Sequence, residues 1–127
     1  AGKTSITGLF QLIENAKLVI TNDSGPMHIA FAFQKTTISL FGPCSPEQYG
    51  YHHFSIPVYK KIYCSPCVHE FDISPCNGNN QCMKLIEVTE VFAHVENVLN
   101  GHYKPAARSS NIIFEGKDHW VPGFVNR

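Results

Sequence analysis

The chain has 127 residues, and its 10 Lys and Arg residues balance 10 Asp and Glu residues, which gives a formal net charge of zero with neutral histidines. This balance removes the electrostatic argument for a nucleic-acid partner. With 43% hydrophobic residues the composition supports one globular core, and no apolar run approaches the roughly 20 residues that cross a bilayer. We therefore expect a cytoplasmic protein with no transmembrane segment.

The sequence begins with the pattern of an amphipathic helix followed by a short strand. Apolar residues recur at helical spacing over residues 5–16, where Thr4 or Ser5 is a suitable N-cap. The β-branched run at residues 18–21 predicts a buried strand. Turn-forming residues at 22–26 end that strand.

A second helix and a second strand follow directly. Pro26 favours the first turn of a helix over residues 27–33, because proline lacks the N–H that is unpaired there. Residues 36–41 then predict a buried strand that ends at Gly42. Since each connection between strands contains a helix, the order predicts an α/β layer with parallel strands.

The second half of the sequence is less regular. Residues 44–83 show no sustained periodicity, and we place a third short strand at residues 59–63. Residues 87–100 carry a clear apolar stripe that predicts a helix, with Gly101 as its carboxyl-terminal cap. In the tail, residues 112–114 are predicted to pair as an edge strand.

Four polar or flexible residues lie where the first strand passes into the second helix: Asp23, Ser24, Gly25 and His28. Ligands bind at this edge of an open parallel sheet, and a helix N-terminus favours a phosphate. Asp23 would repel a phosphate, so it suits sugar hydroxyls or the cap of the helix. The alternative is that Asp23 or Ser24 only caps the helix and His28 is a solvated surface residue.

Four of the five cysteines fall in a segment that we call the cysteine loop, residues 64–82, with the spacing C-x2-C-x8-C-x5-C: Cys64, Cys67, Cys76 and Cys82. Four thiolates could hold a structural zinc ion, and His69 is an alternative ligand. Disulfides in an oxidised sample and free structural thiols are the other interpretations. In each of them the cysteines pin a long loop.

The motifs together resemble a known family. The runs TNDSGPMHIAFAF and TTISLFGPCSPEQYG, followed by CSPC, are similar to the carboxyl-terminal half of glycosyltransferase family nine, the ADP-heptose:lipopolysaccharide heptosyltransferases. The element D-S/T-G-x-x-H is that family's hallmark, and F-G-P-x-x-P strengthens the match. Phe31 and Phe33 depart from the family, which has small residues there.

The resemblance implies an α/β fold, a Rossmann-like parallel sheet with flanking helices that is part of the carboxyl-terminal domain of a two-domain GT-B glycosyltransferase. Residues 1–101 would be a partial donor-nucleotide-binding domain that includes the cysteine loop, and residues 102–127 a carboxyl-terminal tail. The start at Ala1, without Met, also predicts a piece of a longer protein.

The resemblance also implies a function, the transfer of heptose from ADP-heptose to a lipopolysaccharide core acceptor with inversion. Asp23, Ser24, Gly25 and His28 would contact the diphosphate and the heptose. No catalytic residue is expected in this chain, because the base would belong to the amino-terminal acceptor domain, and the chain alone should be inactive. Transfer would require no cofactor, and the enzyme would act in the cytoplasm at the inner face of the bacterial inner membrane.

Two other functions remain open from the residues alone. One is a non-catalytic module that binds a nucleotide sugar. The other is a zinc-stabilised interaction domain in which the turn at Asp23 is only a helix cap.

Overall fold

The computed structural model describes residues 2–50 and 53–103 of the chain. Within this part the chain forms five helices and three strands, in the order α1 (Ile6–Asn15), β1 (Val19–Asn22), α2 (Gly25–Ala32), β2 (Thr37–Phe41), α3 (Pro46–Tyr49), β3 (Ser55–Tyr59), α4 (Gln81–Lys84) and α5 (Val88–Leu99). The predicted edge strand at residues 112–114 lies outside the described residues.

The three strands form one parallel sheet in the order β1-β2-β3. Thr37 of β2 is paired with Val19 of β1 on one side and with Ser55 of β3 on the other. The central strand is the most buried, and Ile38 and Phe41 are fully enclosed. The predicted parallel α/β layer is confirmed, but the prediction that the first strand is buried is wrong: β1 lies at the edge of the described sheet, and Ile20 is 51% exposed.

Helix α1 begins where its capping residue predicts. Ser5 is the N-cap of α1, and its Oγ accepts a hydrogen bond of 3.1 Å from the Gly8 N–H. An edge-to-face contact between Phe10 of α1 and Phe33, with ring centroids 6.3 Å apart, joins α1 to the end of α2. Phe33 therefore contributes to the packing of α1 on α2.

The predicted third strand is wrong in position. The strand covers Ser55–Tyr59, so only Tyr59 is shared with the predicted segment. Pro57 stands at the centre of the strand and argues against a strand in the sequence. It is tolerated because β3 is at the edge of the described sheet: the Phe54 carbonyl accepts from Thr37 N–H at 2.7 Å, and alternation turns the nitrogen of Pro57 away from β2.

The core lies between α2 and the sheet. Met27, Phe31 and Phe41 form its buried cluster, and Tyr49 and Tyr59 pack against it. Phe31, the second departure from the family pattern, is therefore a core residue. This cluster holds α2 on the sheet and so fixes the segment that precedes it.

Helix α5 is confirmed, but its apolar stripe is not enclosed by the described residues. None of its residues is buried there, and Val88, Phe92 and Leu99 are each more than half exposed. Lys60 Nζ lies 2.7 Å from Glu90 Oε2 and connects α5 to the end of β3. At 12 residues α5 is the longest described helix, and no helix in residues 2–50 or 53–103 has the length and apolarity to span a bilayer.

Candidate functional site

Parallel pairing brings the loops that follow β1 and β2 to the same edge of the sheet. The segment after β1, residues 22–25, is called the β1–α2 turn below. Its Asp23 N–H donates to the Leu40 carbonyl of β2 at 3.2 Å. The turn is thereby fixed beside Gly42 and Cys44, which directly follow β2.

Ser24 occupies the N-cap position of α2, but its side chain does not cap the helix. Its hydroxyl instead donates to Asn22, at 3.1 Å from the main-chain oxygen and 3.2 Å from Oδ1. The Ser24 carbonyl accepts from the Met27 N–H at 2.9 Å. The capping alternative is therefore wrong for the Ser24 hydroxyl, and no side chain of the cap residue covers the amino-terminal end of α2.

Gly25 and His28 both face open space at this helix end. A Cβ atom added to Gly25 would meet no other atom within 4 Å. His28 is exposed in the first turn of α2, and its ring lies edge-to-face on Phe31 with centroids 6.2 Å apart. The helix N-terminus carries partial positive charge. An anionic ligand could therefore approach the main chain at Gly25 and reach His28.

Asp23 has a partner that the sequence did not indicate. The pKa of the Cys44 thiol is raised to about 12, first by burial and then by the neighbouring Asp23 carboxylate. Cys44 is therefore protonated at neutral pH, and its thiol lies beside the carboxylate of Asp23. The sequence signal for this contact is that Cys44 lies in the segment just after the neighbouring parallel strand.

The cysteine loop folds back so that its four thiols line one cavity of about 260 Å³. His69, the alternative ligand, does not line it. All five cysteines are free, and among the described residues no three His, Cys, Asp or Glu side chains are already arranged to hold a metal ion. The pKa of the Cys67 thiol is raised, first by burial and then by the neighbouring thiols. The pKa of the Cys76 thiol is lowered, first by the Asn80 N–H.

Main-chain contacts attach the cysteine loop to the segment after β2. The N–H groups of Cys67 and Val68 both donate to the Pro43 carbonyl, at 2.8 and 3.1 Å. The buried Ser65 hydroxyl donates to the Gly42 carbonyl. The loop and the β1–α2 turn are therefore connected through residues 42–44.

Comparison with known proteins gives a consistent result. The model of glycosyltransferase family 9 (heptosyltransferase) matches residues 1–77. Lipooligosaccharide heptosyltransferase 2 of Campylobacter jejuni is 34% identical over 106 residues, which cover 79% of this chain and 31% of that protein. Its counterpart from Haemophilus influenzae is 51% identical over 47 residues, 37% of this chain and 14% of that protein.

A third relative covers more of the chain. Lipopolysaccharide heptosyltransferase 3 of Escherichia coli is 32% identical over 117 residues, which cover 88% of this chain and 32% of that protein. The chain thus spans about a third of the length of the longer-matching relatives. No solved structure matches it.

Proposed function

Because this chain belongs to glycosyltransferase family 9, the heptosyltransferase family, we propose that it is the part of a heptosyltransferase that binds the nucleotide-sugar donor. The observation that carries the proposal is the β1–α2 turn, in which the helix N-terminus is left uncapped by Ser24 and open at Gly25. The names of the relatives favour a transferase over a non-catalytic binding module or an interaction domain.

We assign one role to each residue of the turn. The main chain at Ser24 and Gly25 faces the phosphates of an ADP-heptose donor, since N–H groups at a helix N-terminus suit anions. His28 donates to the diphosphate or to a heptose hydroxyl. Asp23, which lies beside Cys44, accepts from heptose hydroxyls.

The reaction would be an inverting transfer to a lipopolysaccharide core acceptor. Negative charge develops on the departing diphosphate, and the end of α2 together with His28 would stabilise it there. The base that takes the proton of the acceptor hydroxyl would come from outside this chain, from the amino-terminal domain of a GT-B enzyme. Transfer would need no metal, because these groups supply the positive charge.

The proposal extends to the organisation of the parent enzyme. Residues 1–101 would be part of the carboxyl-terminal donor domain, whose parallel sheet is Rossmann-like, and residues 102–127 its tail. The acceptor is a lipid, so the enzyme would work at the cytoplasmic face of the inner membrane as a peripheral protein.

Calorimetric titration of the intact protein with ADP and with ADP-heptose tests the assignment. His28→Ala removes one hydrogen bond to a charged group, so we expect the affinity for both ligands to fall about tenfold. His102→Ala is the matched control, because His102 is an exposed histidine beyond α5. If His28→Ala binds both ligands as the unchanged protein does, His28 is not a donor contact and the assignment is wrong.

A further inference from the structure

The cavity beneath the cysteine loop has no role in the donor site described above. It is lined by Cys64, Cys67, Cys76 and Cys82, together with Pro43 and the start of α4. Three of these thiols are buried, and Cys76 is half-buried. Cys64 and Cys82 are 18 positions apart in the sequence, so the convergence is a property of the fold and not of local spacing.

The four cysteines of the loop share the cavity wall with Val68 and Phe71, but the loop buries little of its large apolar side chains. Ile73 is 75% exposed, and Phe71, although it lines the cavity, is 52% exposed. A segment ordered by the hydrophobic effect would show the reverse arrangement. Small segments that cannot bury enough apolar surface are commonly ordered by a disulfide or a metal ion. A cross-link between the thiols at its centre would therefore stabilise the loop.

We propose that the four cysteines of the cysteine loop bind one zinc ion as a structural tetrathiolate site. Four sulfur ligands select zinc or iron over calcium and magnesium, which prefer oxygen. Cys64 and Cys67 have the C-x2-C spacing of a zinc half-site, and Cys76 and Cys82 supply the second pair. This site goes beyond the proposed transfer reaction, which calls for no metal.

Binding requires the thiols to move closer together. No three of them are arranged to hold a metal ion in this conformation, whereas zinc needs sulfur atoms at about 2.3 Å. The cavity supplies the room for this closure. The Cys76 side of the loop consists of turns with the backbone hydrogen bonds Asn77 N–H to Ser74 O and Asn79 N–H to Cys76 O, at 2.8 and 2.9 Å. Closure therefore moves one loop segment and breaks no strand pairing.

The ion would support the donor site from a distance. Cys67 is hydrogen-bonded through its main chain to Pro43, and Pro43 precedes Cys44, whose thiol lies beside Asp23. A rigid cysteine loop thus fixes residues 42–44, and these fix one side of the β1–α2 turn. The zinc is structural in this arrangement, because none of the four thiols belongs to the turn itself.

Metal analysis of the intact protein, expressed with zinc and purified without chelators, tests the site. We expect about one zinc per chain. In Cys76→Ser, the zinc retained after dialysis against a competing chelator should fall about tenfold or more, because one ligand is lost. Cys44→Ser is the matched control: Cys44 does not line the cavity, so this variant should retain its zinc.

A second measurement serves if Cys76→Ser does not fold. Cobalt added to the chelator-stripped unchanged protein should give the sulfur-to-cobalt charge-transfer bands and the visible bands of tetrahedral thiolate coordination. The proposal is overturned if the protein holds no zinc and develops no such bands, if mass spectrometry finds disulfides between these cysteines, or if iron occupies the site. It is also overturned if Cys44→Ser loses as much zinc as Cys76→Ser.

Discussion

The β1–α2 turn and the cysteine loop both contact the segment that follows β2, but different kinds of neighbours hold them in place. The turn lies between two regular elements, and a main-chain hydrogen bond from Asp23 to β2 holds it. The cysteine loop has only the four-residue α4 at its end, and its anchors are the carbonyls of Gly42 and Pro43. The turn is ordered by the helix and strand on either side of it and by one contact to β2, whereas the loop depends mainly on the distant residues Gly42 and Pro43.

The largest effect on stability is expected in α2, whose buried face packs in the core directly after the turn. Met27 is fully buried, so Met27→Ala should lower the free energy of unfolding by about 2–5 kcal/mol in urea denaturation of the intact protein. His28→Ala, one position later but exposed, should change it by less than about 0.5 kcal/mol. Equal losses of unfolding free energy in the two variants would show that the buried face of α2 is not what stabilises this part of the protein.

A smaller effect is expected at the anchor of the cysteine loop. Ser65 is 4% exposed, and its hydroxyl bonds the Gly42 carbonyl and, at 3.1 Å, the Tyr59 hydroxyl. Ser65→Ala leaves a buried carbonyl unpaired and should cost about 1–3 kcal/mol of unfolding free energy. The control is Tyr63→Ala, which alters an exposed residue of the adjoining segment. A neutral Ser65→Ala in the same urea titration would mean that the loop is anchored elsewhere.

The smallest effect on stability is expected at Gly25, where function should respond instead. Gly25→Ala adds a methyl group into open space, so the unfolding free energy should change by less than about 0.5 kcal/mol. The same methyl group lies where the donor phosphates would approach the main chain, and calorimetry should show weaker binding of ADP. Unaltered ADP affinity would place the phosphates away from Gly25.

The regular elements could be predicted because their signals are local. The helix α1 follows from apolar spacing and the Ser5 cap, and α2 from the turn residues before it. The strand β3 could not be placed from the sequence, because Pro57 argues against a strand unless that strand is known to lie at the edge of the sheet. The helices α3 and α4 have four residues each, too few for any periodicity. The apolar stripe at residues 87–100 predicted helix α5 correctly. It did not predict that the stripe is left exposed by the described residues.

The candidate site could be predicted only in part, because some of its contacts join residues that are distant in the sequence. A strand that passes into a helix marks the β1–α2 turn in the sequence itself, and the open space at Gly25 agrees with a ligand there. The contact between Cys44 and Asp23 depends on which strand lies beside β1, which the sequence does not state. The spacing of the four clustered cysteines predicted a group, but only the fold shows the cavity that they share.

Pro57 makes the two edges of the described sheet unequal as places where another strand could pair. With no N–H at the centre of β3, a strand arriving there finds no donor at that position. On the opposite strand, Val19 and Asp23 direct their N–H groups to β2, so alternation directs those of Ile20 and Asn22 outward. Among the described strands, β1 therefore offers the more complete set of free N–H groups, and a parallel strand paired there would bring the loop that follows it to the side of Asp23.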